Sequence, residues 1–324
     1  MQKFRLLLLS VVLLGFLVLP VSAELKIVTT TSALADPLET IGGDNVVVVT
    51  VSDAGLCPHL QADVIANIVQ MKQDFIKNAD MYAAHNGSID KSSIMPVVDK
   101  FMAANNFGNV TWQTPKNPDQ NWNTPATALQ LVAEEKDWLE KADPANTSSY
   151  ENRYAEYIQK IAAQNLTADE TQKIAGQDVV VMVWQKNAAE DWLGLNVVSI
   201  FAPEFYQNGN YTPAKVVDDI NANPEKYRNV TSVIENMQSG EMAKGIEEAL
   251  HAKGINATRV VFTNFPKSVS GVDSIPEVLA YNKGLVTPKE SETSVPATTQ
   301  SPLGAGVVIV GICAAGAALC ICRH

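Results

Sequence analysis

The sequence predicts an α/β protein of two lobes, each a mainly parallel sheet flanked by helices. Three observations carry that reading. Apolar, β-branched runs alternate with segments of helical period; this alternation occurs in two separate blocks; and the stretch between the blocks holds helix formers with no strand signal. Strands separated by helices imply parallel pairing with helices on both faces.

The elements follow in order. Met1 to Ala23, "MQKFRLLLLSVVLLGFLVLPVSA", sets Lys3 and Arg5 before an apolar run that ends in Val21-Ser22-Ala23, so 1–23 is expected to be a cleaved signal peptide. The first lobe, 24–147, contains "LKIVTTT", "ADPLETIG", "NVVVVTV", "ADVIANIVQMKQDFIKN", "MYAAH" and "IMPVVDKFMAANN", a βαβαβα series. Helices then dominate, in "TALQLVAEEKDWLEKAD" and "SSYENRYAEYIQKIAAQN", with Asp143-Pro144 breaking them apart. Tyr150, Tyr154, Tyr157, Ile158 and Ile161 recur at helical spacing, which predicts a core-facing stripe. A helix here, over 148–170, is placed to join the lobes rigidly. The second lobe, 171–286, resumes with "DVVVMVW", "NVVSIF", "PAKVVDDINA", "TSVIENM", "EMAKGIEEALHAKG", "TRVVFTNF" and "IPEVLAYNKGLV".

The end of the chain changes character. Thr287 to Pro302, "TPKESETSVPATTQSP", reads as a Ser/Thr/Pro stalk over 287–302. Leu303 to Cys322 is an uncharged apolar run of about the ~20 residues that a helix needs to cross a bilayer, so 303–324 is expected to be a transmembrane anchor. Arg323 and His324 follow it and put the preceding chain on the extracytoplasmic side. Sequons at Asn86, Asn109, Asn146, Asn165, Asn210, Asn229 and Asn256 agree with a glycosylated, cell-surface protein.

Composition narrows the function. Of four cysteines, Cys313, Cys320 and Cys322 lie in the anchor, which leaves Cys57 alone and excludes a disulfide within the ectodomain. A formal net charge of −11 argues against nucleic acid and anionic lipid headgroups as partners. No "GxSxG", "HExxH", "GxxxxGK[ST]" or CxxC occurs in the ectodomain, and no enzymatic activity or organic cofactor is expected. Cys57 and His59, as residues i and i+2 of an extended segment, lack the third orienting group that nucleophilic catalysis needs.

The ordered motifs "TTTSALADPLETIGGDNVVVVTV", "LCPHLQADVIANI", Asn86-Gly87 after a strand, "NWNTP", "ADPANTSSYENRYAEYIQKI" and "LAYNKGLV" cover most of Glu24 to Val286. In that order they resemble the solute-binding proteins of zinc and manganese ABC transporters, the cluster with a long interdomain helix. The resemblance implies two lobes joined by a long rigid helix, with the ligand cleft between them. It also implies a transition-metal ion as transported ligand, zinc or manganese, with an ABC permease and ATPase as partners of a monomeric protein. The family's four metal ligands, commonly His, His, His or Glu, and Asp, fall by motif on His59, Gln120, Gln185 and Asn264. Three of these are amides here.

A divalent cation leaving water needs compensating charge or several good donors, and amide oxygens give only dipoles. Cys57 and His85 are therefore further candidates. Cys57 is either a ligand or a buried thiol, and His85, at a strand end before a turn Gly, either faces the crevice or bonds backbone. His251 reads as a helix C-terminal residue outside the site. Trp122 and Trp184, beside two of the amides, fit a polar pocket for a neutral organic or chelated ligand, and equally fit plain packing. A surface protein that kept the fold and lost the site is the third alternative.

Overall fold

Period-two alternation in the β-branched runs distributes side chains between two cores on opposite faces of each sheet. In the computed structural model, which describes residues 24–287, the first lobe runs β1 (Leu25–Thr29), α1 (Ser32–Gly42), β2 (Val46–Thr50), α2 (Ala62–Met71), β3 (Met81–Ala83), α3 (Met95–Ala104) and β4 (Trp112–Gln113). Helices α4 (Pro125–Ala142), α5 (Thr147–Ala162) and α6 (Ala168–Ile174) follow. The second lobe runs β5 (Asp178–Met182), β6 (Asn196–Phe201), α7 (Pro213–Ala222), β7 (Val230–Asn236), α8 (Lys244–Ala252), β8 (Thr258–Phe262) and α9 (Ile275–Val286). All the pairings within both sheets are parallel, and the strand orders are β2-β1-β3-β4 and β6-β5-β7-β8. The two-lobed α/β class expected from the sequence is the class observed.

Alternation explains the cores. Val28 and Tyr82 point to an outer core with Ile65 and Val69 of α2 and Val98 and Met102 of α3. Val180 and Met182 do the same in the second lobe, against Val216 and Ile220 of α7 and Ile246 and Leu250 of α8. Their neighbours Ile27, Val179 and Val181 face inward, and there the two lobes share one buried cluster with Leu34 and Leu38 of α1, Leu131 of α4, Tyr150, Tyr157 and Ile161 of α5, and Leu279 of α9. The tyrosine stripe is core, as its spacing predicts. Between α5 and α6 the helix is interrupted, because Thr167 caps α6 in a reciprocal capping box with Glu170. Ser274 and Glu277 start α9 in the same way.

Buried acids pin this junction. Asp36 on α1 accepts hydrogen bonds through Oδ2 from the Tyr157 hydroxyl of α5 and from the Ile275 backbone N–H of α9 at 2.6 Å. Burial pushes its carboxyl up to about 6, against the lowering effect of those bonds. Glu135 of α4 is wholly buried, and neither of its oxygens has a hydrogen-bond partner. Burial, with Asp36 and Glu134 adding repulsion, holds it well above the usual carboxylate range.

The signal peptide, all of the stalk after Thr287, and the anchor, expected at 1–23, 287–302 and 303–324, lie outside the described residues. Among the described residues no helix is long and apolar enough to cross a membrane.

The Glu135 pKa fixes the sign of a pH effect. Its folded pKa is raised, so folding requires proton uptake once the unfolded carboxylate ionises, and the penalty grows as pH rises from the unfolded toward the folded value. Glu135→Gln should therefore stabilise the protein at pH 8, by about 1 kcal/mol or more, and much less at pH 4. Thermal denaturation at the two pH values measures this; a variant less stable at pH 8 would mean that the carboxylate has a partner.

Candidate functional site

In open α/β sheets ligands sit beyond the carboxyl ends of the strands. Here the carboxyl ends of both sheets face one cavity of about 610 Å³, and the segment after each of the eight strands contributes to its lining. Thr31 follows β1, Cys57 and His59 follow β2, His85 and Asp90 follow β3, and Gln120 to Asn123 follow β4. From the other lobe come Trp184 after β5, Phe205 and Tyr206 after β6, Asn236 to Ser239 after β7, and Asn264 and Phe265 after β8.

The sequence-derived candidates converge on this cavity in different ways. Cys57 Sγ lies 3.6 Å from His59 Nδ1. Pro58–Leu60 forms a single 3-10 turn, not the extended segment expected, and the turn brings thiol and imidazole together. Burial raises the Cys57 thiol, although bonds from the His59 and Leu60 backbones lower it, so the neutral thiol is favoured. His59 is half-buried, and burial lowers its imidazole. Its ring lies 4.6 Å from Phe205 and 6.1 Å from Trp184, so a side chain of the first lobe packs on two aromatic rings of the second.

His85 is deeper. Its ring stacks on Trp122 at 4.3 Å, Nε2 lies 2.9 Å from Thr31 Oγ1, and Nδ1 has no partner. Burial pushes its pKa down to about 3. The His85 N–H and the Thr30 hydroxyl both donate to Asp90 Oδ2, at 2.6 and 2.5 Å, while Oδ1 of the same carboxyl is unpartnered. Burial raises Asp90 to about 6.

The amides are partly committed. Gln120 Nε2 donates to the Asn121 and Thr127 carbonyls at 3.0 and 2.6 Å. Gln185 is fully buried behind the lining and donates to Asn264 Oδ1, so these two side chains bond each other. His251 bonds the Ala257 carbonyl through Nε2 at 2.7 Å, away from the cavity. Among the described residues, no group of three or more His, Cys, Asp and Glu stands together as a metal cage would require.

Sequence reasoning passed over Asp90, Asn123, Asn236, Ser239, Phe205 and Tyr206. Asn123 lies within "NWNTP", where the motif reading singled out Gln120 and Trp122 instead; the others sit in no motif, and only their place at or after a strand end marks them. The lobes also clasp directly around the cavity. Trp122 Nε1 donates to the Asn264 carbonyl at 2.5 Å, Asn123 Nδ2 to the Trp184 carbonyl at 2.9 Å, Gln238 Nε2 to the Ala54 carbonyl at 2.9 Å, and Ser32 Oγ to the Pro266 carbonyl at 2.8 Å.

Comparison with known proteins agrees with this architecture. A family model described as ZnuA, zinc-uptake complex component A, periplasmic, matches residues 27–279. No curated protein matches the chain by sequence. Among solved structures, the periplasmic zinc-binding protein TroA from Treponema pallidum superimposes with a TM-score of 0.62 at 13% identity, covering 82% of this chain and 98% of that one. A crystal structure of ZnuA gives 0.57 at 18% identity over 81% and 98%. A cadmium-bound periplasmic metal-binding protein from Candidatus Liberibacter asiaticus gives 0.59 at 15% identity over the same shares. At these identities the likeness speaks for the fold.

The buried imidazole generates a prediction. Because the folded pKa of His85 is depressed from 6.5 to about 3, stability is expected to fall as pH drops below about 6.5, where the unfolded histidine takes up a proton that the folded one refuses. Followed by side-chain NMR, His85 should keep its neutral signature down to the onset of acid unfolding. A midpoint near 6.5 in the folded protein would show that water reaches the ring.

Proposed function

This chain belongs to the ZnuA family, and from that premise we propose that it is the extracytoplasmic solute-binding component of an ABC importer, taking a transition-metal ion or metal complex between its two lobes. The observation that carries this reading is the single cavity to which the segments following all eight strands contribute. A cavity of that origin, apolar in its walls with a few convergent polar groups, fits ligand capture. Zinc and manganese are the ions to test first: TroA is a zinc-binding protein, and the Liberibacter protein has been crystallised with manganese.

The residues assigned to the cargo are His59, Cys57, His85, Gln120, Gln185 and Asn264, with His85 Nδ1 as the unpartnered nitrogen among them. The task is binding and release, without catalysis. A permease with its ATPase would receive the cargo, and the chain would act as a monomer. The boundaries assigned are 24–147 and 171–286 for the lobes, with 148–170 between them. The shared core across α1, α4, α5 and α9 supports a modest closing motion, since parting the lobes widely would expose it. Leu303 to Cys322 supplies the membrane anchor. Exposed positions for Asn109, Asn165, Asn210, Asn229 and Asn256 support glycosylation at the cell surface.

Two measurements test this. A cargo present at ~100 times its dissociation constant should add roughly 2.7 kcal/mol to stability, so zinc or manganese, free or complexed, is expected to raise the melting temperature. An unchanged melting temperature with both ions in every form would contradict solute binding. For the anchor, protease added to intact cells should release a soluble fragment ending between 287 and 302. Full-length protein free in the medium would contradict it.

A further inference from the structure

Eight buried side-chain atoms lack a hydrogen-bond partner among the described residues, and six of them belong to residues at the cleft. Five are on lining residues: His85 Nδ1, Asp90 Oδ1, Asn123 Oδ1, Asn236 Oδ1 and Ser239 Oγ. The sixth, Gln185 Oε1, lies behind Asn264. An unpaired buried polar group costs about 1–3 kcal/mol, so this concentration in one cavity points to a ligand that completes it.

Three of the lining atoms, on Asp90, Asn123 and Asn236, are oxygens that accept. Asn123 spends its N–H on the Trp184 carbonyl, which leaves the amide oxygen as the free end. Asp90 spends Oδ2 on Thr30 and His85, which leaves a second carboxylate oxygen free. Asn123, Asn236 and Asp90 thus offer acceptors from both lobes, and a ligand that satisfies them must donate hydrogen bonds. Aromatic rings share the lining: Trp122 beside Phe265 at 5.6 Å, and Trp184 beside Phe205 at 6.1 Å. Such faces favour a cation.

A bare ion does not fit these facts. Held by side chains, zinc needs about four donors at roughly 2.0–2.3 Å from one point. The cavity of about 610 Å³ exceeds that need, no group of three or more His, Cys, Asp and Glu converges among the described residues, and two of the amides bond each other. Six coordinated waters, at about 30 Å³ each, occupy roughly 180 Å³ and bring twelve outward O–H donors. A compact chelate with N–H or O–H groups fills more of the space with the same surface chemistry.

We infer that the cleft takes its metal as an intact cationic complex, recognised from outside through hydrogen bonds from the metal's own shell to Asp90, Asn123 and Asn236 and through the aromatic walls. This rests on the solute-binding reading and replaces direct ligation by contact with the shell. The shell consists of coordinated water or of an N–H- or O–H-bearing chelator.

Exchange-inert complexes test the inference, because they cannot surrender ligands to the protein. Calorimetry on the full chain in detergent would compare hexaamminecobalt(III), tris(ethylenediamine)cobalt(III), tris(2,2′-bipyridine)cobalt(III) and zinc sulfate. The first two carry N–H donors and the third carries the same charge with none. Expected is binding of one or both N–H complexes, at least tenfold tighter than the bipyridine complex. Preference for hexaammine indicates a small aqua-like shell, and preference for the ethylenediamine complex indicates a chelate; either supports the inference. Asn123→Leu and Asn236→Leu should each weaken the preferred complex by about tenfold, in line with a lost bond to a charged group. Because Leu at either site risks misfolding, Asn236→Asp is the second variant, expected to bind the same cation at least as tightly. Zinc binding that Cys57→Ala or His59→Ala abolishes, with no binding of inert complexes, would overturn the inference and leave the solute-binding reading standing. No binding of any of the four, nor of manganese, would overturn both.

Discussion

One carboxylate holds the two halves of this molecule in register. Asp36, within the first helix, receives the Tyr157 hydroxyl from the connecting helix and the Ile275 N–H at the start of the last one. The chain positions it ties are far apart in sequence, and the bonds sit in an apolar cluster shared by both sheets. A hydrogen bond there has no water to compete for it, and an unmet partner would be costly. The constraint propagates outward, because α1 and α9 adjoin the segments that carry Thr31 and Phe265 into the cleft. The junction sets how far apart the two carboxyl edges stand in this structure, and hence the size of the cavity between them.

The cleft inherits a consequence. With the sheets held facing each other, contacts between lobes form around the cavity without a ligand, through Trp122 to Asn264, Asn123 to Trp184 and Gln238 to Ala54. These bonds use side-chain N–H groups; Gln238 also accepts at Oε1 from the Asn264 N–H at 3.3 Å, whereas an amide with no such second bond keeps a free oxygen. Asn123 is the clearest case, since one end of its amide holds the lobes together while the other is unpartnered. Gln120, Gln185 and Asn264, the amides singled out by motif, are engaged within the protein: Gln120 donates to the Asn121 and Thr127 carbonyls, and Gln185 to Asn264 Oδ1. The last of these bonds, from Gln185 Nε2, commits the Asn264 oxygen, while Gln185 Oε1 stays unpartnered.

Much of the fold was legible because its signals are strong. The β-branched runs and the tyrosine stripe each have a local physical cause that tertiary context did not override. Strand β4 escaped because it has only two residues, Trp112 and Gln113, too few for a period. The candidate site was legible in part. Position at a strand end singled out His85, and motif order singled out His59 and the amides. Partnerships between side chains were not legible, because Gln185 and Asn264 are 79 residues apart and nothing local announces their bond. Asp90 was hidden for a related reason: it lies in a π-helical turn, Asp90–Ile94, where its carboxylate is aimed by the backbone of His85 and not by a recognisable motif.

X-ray absorption at the zinc edge, recorded on zinc bound to the protein, reads the first coordination shell directly. Recognition through an intact shell predicts oxygen or nitrogen neighbours from the cargo alone, with no sulfur at about 2.3 Å. It also predicts no imidazole multiple-scattering signature when water or a non-imidazole chelator fills the shell. A Cys57 sulfur at that distance, or imidazole scattering that disappears in His59→Ala, would contradict the account and return the site to direct ligation.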